Sequence, residues 1–249
     1  MAEVRPFRGI RYNPSFVEDI SRVVCPPYDI ISPLEAEVLR RRSPYSAVNL
    51  ELDYKTATAA SETNRYTRAA ALFRRWLEEG VLLRDPTPAM YALEEEFAFE
   101  GRMMRRRGLV AVVCLEEFDK GIVLPHEHTT SGPKADRLAL MKATRSNSSP
   151  IMALYRDFNN TIGPLLRQGR QGKPTLIAEL DGLSHCKLWR VSDLQLISKI
   201  SAAMASRKIF LADGHHRYET ALRFRNEMEA SEGPLPPEAA ARFVMMILI

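Results

Sequence analysis

The chain has 249 residues, of which 45% are hydrophobic and 27% are charged. At roughly 150 residues per domain, this length suits one large domain or two modest ones. The composition excludes a disordered chain, a collagen-like repeat and a coiled coil. Thirty-five basic and thirty-one acidic residues leave a formal net charge of +4, which permits anion binding without requiring a nucleic acid as partner.

The sequence carries no sign of a membrane span or of a secretion signal. No stretch reaches the ~18 uninterrupted apolar residues that a span needs, and charges occupy the N-terminal positions where a signal peptide would be apolar. We therefore expect a cytoplasmic protein. Three cysteines without a Cys-x-x-Cys pair predict neither a disulfide framework nor a thiolate zinc site. Residues 241–249 are largely apolar and lack a polar exit, so we expect the chain to continue beyond Ile249.

The N-terminal region, residues 1–85, is rich in proline and predicts loops with a few helices. A helix is expected from Ser32 onward, because serine caps helices and Pro33 suits the first turn. Apolar residues at helical spacing predict another helix over 64–79, and Gly80 is typical of a residue that ends one.

The second region, residues 86–249, alternates between strand-like and helix-like patterns. Residues 89–99 and 108–115 predict two strands joined by a Glu-Gly-Arg turn, and residues 159–173 predict a loop. Further strands are expected at 150–155, 175–180, 186–191 and 208–212, and further helices from 132, from 192 and after 213. The pattern favours an α/β or α+β fold with a mixed β-sheet flanked by helices.

The segment Asp213-Gly-His-His-Arg217 follows a predicted strand and opens a predicted helix. The first turn of a helix has unpaired backbone N–H groups and the positive end of the helix dipole, which together favour anions. Gly214 lets a ligand approach the backbone, and Arg217 offers a fork of donors to a phosphate. The imidazoles of His215 and His216 can transfer protons or donate further hydrogen bonds. The alternative is a helix start that Asp213 simply caps.

A second polar segment, Leu124-Pro-His-Glu-His-Thr-Thr-Ser-Gly-Pro-Lys-Ala-Asp-Arg137, precedes another predicted helix. His126 and Glu127 are candidates for acid/base chemistry, and an extended backbone would direct His126 and His128 to one side and Glu127 to the other. A second anionic group would bind at the helix start through Ser131, Gly132, Lys134 and Arg137. The alternative is a solvated loop, and two histidines without a third ligand do not predict a metal site.

A third segment, Val24-Cys-Pro-Pro-Tyr-Asp29, is stiffened by paired prolines. It adds Tyr28 and Asp29 to the candidate substrate-binding residues, although a plain turn has the same composition. Cys25 is not predicted to be a nucleophile, because no local histidine or helix start would lower its pKa. Arginine runs at 40–42 and 105–107 are interpreted as solvated faces, although a nucleic-acid groove uses similar residues.

Five strings resemble the prokaryotic family known as domain of unknown function 1015, over essentially the whole chain. They are Phe7-Arg-Gly-Ile-Arg-Tyr-Asn-Pro14, Pro26-Pro-Tyr-Asp-Ile-Ile-Ser-Pro33, Leu124-Pro-His-Glu-His128, Ser131-Gly-Pro-Lys-Ala-Asp-Arg137 and Ala212-Asp-Gly-His-His-Arg-Tyr-Glu-Thr-Ala221. The resemblance names no reaction. Members of that family generally continue past the position of Ile249, which agrees with the expectation of a longer chain.

A narrower resemblance concerns the turn alone. Asp213-Gly-His-His-Arg217 is similar to the Gly-x-His-Arg-type turn of the ParB and sulfiredoxin superfamily, which includes free-serine kinases and nucleotide-binding partition proteins. The resemblance implies a ParB/sulfiredoxin-like element in which residues 214–217 cradle a phosphate and Asp213 is a base or positions a metal. Sulfiredoxin has its reactive cysteine at the position of His215, which disfavours a sulfinic-acid reductase.

Together these features predict phosphoryl transfer to or from a small metabolite, such as serine or phosphoserine, in either the kinase or the phosphatase direction. The alternative is a non-catalytic, nucleotide-binding or DNA-associated protein of the ParB kind. The cofactor is left open, with Mg²⁺ and a nucleotide or pyrophosphate donor as the options. The expected partner is a small phosphorylated molecule, with neither a nucleic acid nor a membrane.

Overall fold

The computed structural model describes residues 1–52, 64–127, 129–180 and 184–249, apart from the side chains of residues 131 and 133. The described residues form seven α-helices: α1 Pro33–Arg42, α2 Val48–Glu51, α3 Arg65–Glu78, α4 Ser131–Thr144, α5 Ile162–Gly169, α6 Leu194–Ala205 and α7 His215–Glu232. The strands are β1 Val4–Arg5, β2 Ile10–Tyr12, β3 Leu82–Arg84, β4 Met90–Phe99, β5 Arg102–Cys114, β6 Val123–Leu124, β7 Ile151–Tyr155, β8 Leu176–Leu180, β9 Ser184–Val191, β10 Ile209–Asp213 and β11 Phe243–Leu248.

One mixed sheet organises the chain, as the sequence predicts. Its strand order is β6-β10-β7-β11-β5-β4-β9-β8, and β1 pairs with the far end of β5. The pairs β6–β10 and β7–β11 are parallel, whereas the other neighbours are antiparallel. The predicted hairpin of β4 and β5 is confirmed, and its turn places Glu100 and Gly101 at positive φ.

The main apolar core lies between this sheet and its helices. It contains fully buried residues of the central strands, such as Leu109, Ile151 and Met246, together with Ile200 of α6 and Tyr218 of α7. Burial of a large aliphatic or aromatic side chain contributes about 1.5–3 kcal/mol. α6 and α7 are therefore held firmly, and with α7 the turn that precedes it.

The N-terminal region adds two smaller clusters. One surrounds the buried Trp76 of α3 and reaches Ala178 of β8, and the other surrounds Val48 of α2. α1 begins with the expected serine: Ser32 and Glu35 cap each other reciprocally. Because β1 pairs within the main sheet, the N-terminal region also contributes to that sheet. The domain division at residue 85 stays a prediction.

The structure corrects two local predictions. Residues 159–173 were expected to form a loop, but Ile162–Gly169 is helical. The cause is Asp157, whose carboxylate accepts hydrogen bonds from the N–H groups of Thr161 and Ile162. The helix expected from 192 begins at Leu194, because Asp193 is its cap: the Asp193 carboxylate accepts from the N–H groups of Gln195 and Leu196.

None of the described helices is both long enough and apolar enough to cross a lipid bilayer.

Candidate functional site

The sheet topology brings the two polar segments together. β6 and β10 run parallel, so their C-terminal ends meet at one edge of the sheet. Pro125 follows β6 there and Gly214 follows β10. β7 runs antiparallel to β10, with Met152 opposite Asp213, so the chain enters β7 at this same edge. Open α/β sheets place ligands at such edges, beyond the C-terminal ends of parallel strands.

The ring of His126 is held in place by a hydrogen bond to the backbone. Its Nδ1 lies 2.7 Å from the carbonyl oxygen of Leu211, which can only accept, so Nδ1 carries the proton. In the neutral ring the lone pair is then on Nε2. Residues 126 and 127 form a bend instead of extended chain. For this reason His126 and Glu127 approach the same partner, contrary to the expected alternation.

That partner is His215, the first residue of α7, whose side chain is only 1% exposed. Its Nε2 accepts the backbone N–H of His126 at 3.3 Å, and the two rings meet edge to face with centroids 4.5 Å apart. Its Nδ1 lies 2.9 Å from Oε1 of Glu127 but forms no hydrogen bond within the described chain. Burial lowers the pKa of His215, and the charge of Glu127 opposes that effect.

His216 joins the same two segments one residue further on. Its Nε2 accepts the backbone N–H of Thr130 at 3.1 Å. Glu219, one helical turn after His215, accepts from the hydroxyl of Thr129 and from Nζ of Lys134, both at 2.7 Å. Burial raises the pKa of Glu219, but these two hydrogen bonds and the nearby positive charge of Lys134 lower it overall, so the carboxylate is stabilised in its charged form.

The first backbone N–H groups of α7 have no hydrogen-bond acceptor among the described residues. Gly214 has φ +92°, and no side chain among the described residues caps the helix. The backbone N–H groups of His215, His216 and Arg217 have no acceptor in the part of the chain that the structure describes. A Cβ on Gly214 would lie 2.9 Å from Nε of Arg217, so the guanidinium covers the turn. Arg217 also pairs with Asp213 and donates to the carbonyl of Pro150.

Arg137 and Tyr28 share the lining of a small cavity with Arg217. The guanidinium of Arg137 stacks on the ring of Tyr28 at 4.0 Å and pairs with the buried Glu51 at 2.8 Å. A cavity of about 30 Å³ lies between these residues; Tyr28, Glu51, Arg137, Arg217 and Thr220 line it together with residues 146–149. Its size suits about one water molecule. Arg137 and Lys134 are thus both paired with carboxylates, those of Glu51 and Glu219.

The other candidate residues contribute less to this geometry. Asp29 is exposed in a short 3₁₀ turn, and Gly132 has open space around it. The side chain of Ser131 and the whole of residue 128 lie outside the described part of the chain. The structure thus brings His126, Glu127, His215 and His216 together at one place, with Arg217, Arg137 and Tyr28 beside it.

Comparison with protein-family models matches residues 4–249 to one family, described as protein of unknown function (DUF1015). The chain belongs to this family. No curated protein and no solved structure matches the chain. The family description names no reaction.

Two further residues, Glu219 and Glu51, belong to this region and were not predicted. Glu219 holds Lys134, and its position four residues after His215 on a predicted helix was the available signal. Glu51 holds Arg137 from 86 residues away, and nothing local indicated it. Both carboxylates neutralise cations that the sequence assigned to a ligand.

Proposed function

We propose that the protein transfers a phosphoryl group to or from a small metabolite at the start of α7. The observation that carries this proposal is the set of three successive amides, those of residues 215–217, without an acceptor in the described chain. They lie at the positive end of an 18-residue helix. Such a helix start favours an anion with several oxygens, as a phosphate has.

The ring of His215 is the first side chain of this helix. A neutral ring whose Nε2 accepts from His126 carries its proton on Nδ1, which lies 2.9 Å from the carboxylate of Glu127. The two groups therefore place a proton next to the open amides.

The neighbouring groups suit proton transfer. His126 has a free lone pair on Nε2 in its neutral form, and Glu127 is exposed beside it. A positioned acid or base of this kind contributes typically 10²- to 10⁴-fold to a rate. Asp213 is half exposed, at 49%, and pairs with Arg217, so it is placed to contact a substrate hydroxyl or a Mg²⁺ ion.

A hydroxyl amino acid such as serine, or its phosphate ester, is the proposed substrate. This part of the proposal rests on the similarity of Asp213-Gly-His-His-Arg217 to the turn of the ParB and sulfiredoxin superfamily, which includes free-serine kinases. Arg137 pairs with Glu51 of α2 and Lys134 with Glu219 of α7, so in this proposal these cations mainly hold α4 against α2 and α7.

A ParB-like DNA-associated role receives less support from the charges. Arg105, Arg106 and Arg107 each pair with a glutamate of β4, namely Glu96, Glu95 and Glu94. A phosphate backbone would have to compete with these carboxylates. DNA binding would also weaken steeply as salt rises.

The test is a screen of the purified protein for transfer to serine from ATP, ADP or pyrophosphate, and for phosphate release from phosphoserine. We expect turnover with one of these pairs and at least a 100-fold loss in Arg217→Ala. Arg223→Ala removes an exposed arginine from the same helix and is the matched control, with activity unchanged. No turnover with any pair, or equal turnover in Arg217→Ala, would overturn the proposal.

A further inference from the structure

We infer that His126, Glu127 and His215 form a binding site for a divalent transition-metal ion such as Zn²⁺. The inference does not depend on phosphoryl transfer, because it rests on the ligand atoms alone. One ring nitrogen from each histidine and one carboxylate oxygen of Glu127 lie within 4.8 Å of one another. The sequence offered His126 and His128 as a pair of histidines; residue 128 lies outside the described part of the chain, and His126 is joined here by its neighbour Glu127 and by His215 of α7.

The distances between the three ligand atoms fit a metal ion after the ligands move slightly closer together. Zinc–nitrogen and zinc–oxygen bonds of about 2.0–2.2 Å place tetrahedral ligands roughly 3.3 Å apart. Nδ1 of His215 and Oε1 of Glu127 are already 2.9 Å apart. Glu127 is exposed and lies in a bend, so its carboxylate can adjust without disturbing the core.

The ring of His126 is prepared for coordination. Its Nδ1 is held by the carbonyl oxygen of Leu211 at 2.7 Å, which leaves Nε2 as the free lone pair. Histidines that bind metals in proteins almost always have their other nitrogen held in this way, because the hydrogen bond fixes the tautomer and the ring orientation.

His215 gives the second, independent observation. Its side chain is 1% exposed, and Nδ1 has no hydrogen-bond partner within the described chain although it faces Glu127. Coordination at Nδ1 moves the ring proton to Nε2 and gives up the hydrogen bond from His126. The Nε2–H would then face the N–H of His126, 3.3 Å away, so metal binding also requires the segment after β6 to shift and turn that amide aside.

The two imidazole nitrogens and the carboxylate oxygen indicate which class of metal ion would bind. Imidazole nitrogen suits zinc and its transition-metal neighbours, whereas Mg²⁺ and Ca²⁺ prefer oxygen ligands. Two histidines and one glutamate also leave a fourth position open, as in catalytic zinc sites. The ion would join the segment after β6 to the start of α7.

The test is a calorimetric titration of the chelator-treated, dialysed protein with Zn²⁺, without any phosphorylated compound present. We expect one ion per chain, and Mg²⁺ at the same concentrations should give no comparable heat. His126→Ala should weaken Zn²⁺ binding at least 100-fold and Glu127→Gln about tenfold or more. Glu127 is exposed, so that variant folds even if a histidine variant does not.

His185→Ala is the matched control, because it removes an exposed histidine of β9 and should leave Zn²⁺ affinity unchanged. The proposal is overturned if the wild-type protein takes up no Zn²⁺, or if His126→Ala and Glu127→Gln bind it as tightly as the wild type does. A metal-free protein that retains full turnover would contradict a catalytic role for the ion, and Zn²⁺ binding without any turnover would contradict phosphoryl transfer alone.

Discussion

The backbone N–H of His126 donates to Nε2 of His215, 3.3 Å away and 89 positions later in the chain. In the same way, the backbone N–H of Thr130 donates to Nε2 of His216. Both histidines therefore accept hydrogen bonds from the segment that follows β6, and this segment is tied to α7 through them. In the neutral form each ring then carries its proton on Nδ1.

Replacement of His216 by alanine should loosen the segment after β6. The variant removes the acceptor of the Thr130 amide, which lies in an exposed loop. We expect faster hydrogen exchange at the amide of Thr130, by about tenfold, while the amides of β10 remain unchanged. His185→Ala on β9 is the control. Unchanged exchange at residue 130 would contradict the structural role of His216.

Gly214 should tolerate no side chain. Its φ is +92°, and a Cβ would lie 2.9 Å from Nε of Arg217. Gly214→Ala is expected to lower the free energy of unfolding by about 1–3 kcal/mol, because the left-handed backbone and the displaced guanidinium both add strain. Gly132→Ala is the matched control: its Cβ meets open space within a helix, so stability should not fall. Chemical denaturation of both variants measures the difference.

Asp85 should be the most sensitive carboxylate of the interior. It is 1% exposed and bonds to Arg11 at 2.9 Å, Arg190 at 3.1 Å and the hydroxyl of Tyr91 at 2.6 Å. Asp85→Asn removes the negative charge and leaves two guanidinium groups without it, which should cost about 3–5 kcal/mol. The exposed Asp119→Asn should cost less than about 0.5 kcal/mol. Equal stability of the two variants would contradict a stabilising role for the buried charge of Asp85.

The sequence predicted those parts of the fold that depend on neighbouring residues. The strand, turn and helix around Asp213 were predictable because apolar periodicity, glycine and helix spacing occur within 20 residues. The cap of α5 was missed because Asp157 lies five residues before Ile162, outside the usual capping position. The order of the strands was beyond local patterns, since β6 and β10 are separated by about 85 residues.

The site was predicted in its residue types more than in its geometry. The histidines of both segments were identified from their spacing, but their contact follows from the parallel pairing of β6 and β10. The bend at 126–127 also depends on tertiary contacts, so an extended backbone was the wrong expectation. The partners of Arg137 and Lys134 come from other elements and had no sequence signal of comparable strength.

Acid should weaken the contact between α4 and α7. Burial raises the pKa of Glu219, but the hydrogen bonds from Lys134 and Thr129 together with the charge of Lys134 lower it overall from its usual 4.5. A carboxylate with a lowered pKa adds stability above its usual pKa and loses this contribution as pH falls through the lowered value. Glu219→Gln should therefore unfold with a flatter pH dependence between about pH 5 and pH 3. If the free energy of unfolding of Glu219→Gln and of the wild type changed in parallel with pH, the lowered pKa of Glu219 would be contradicted.

The most direct measurement is a titration of ¹⁵N-labelled protein with phosphoserine and with inorganic phosphate, followed through backbone amide shifts. If the start of α7 binds a phosphate, the largest shifts should occur at His215, His216 and Arg217 and should be lost in Gly214→Ala. If those three amides do not move while the ligand binds elsewhere, or if neither compound shifts any amide, the proposed site is wrong.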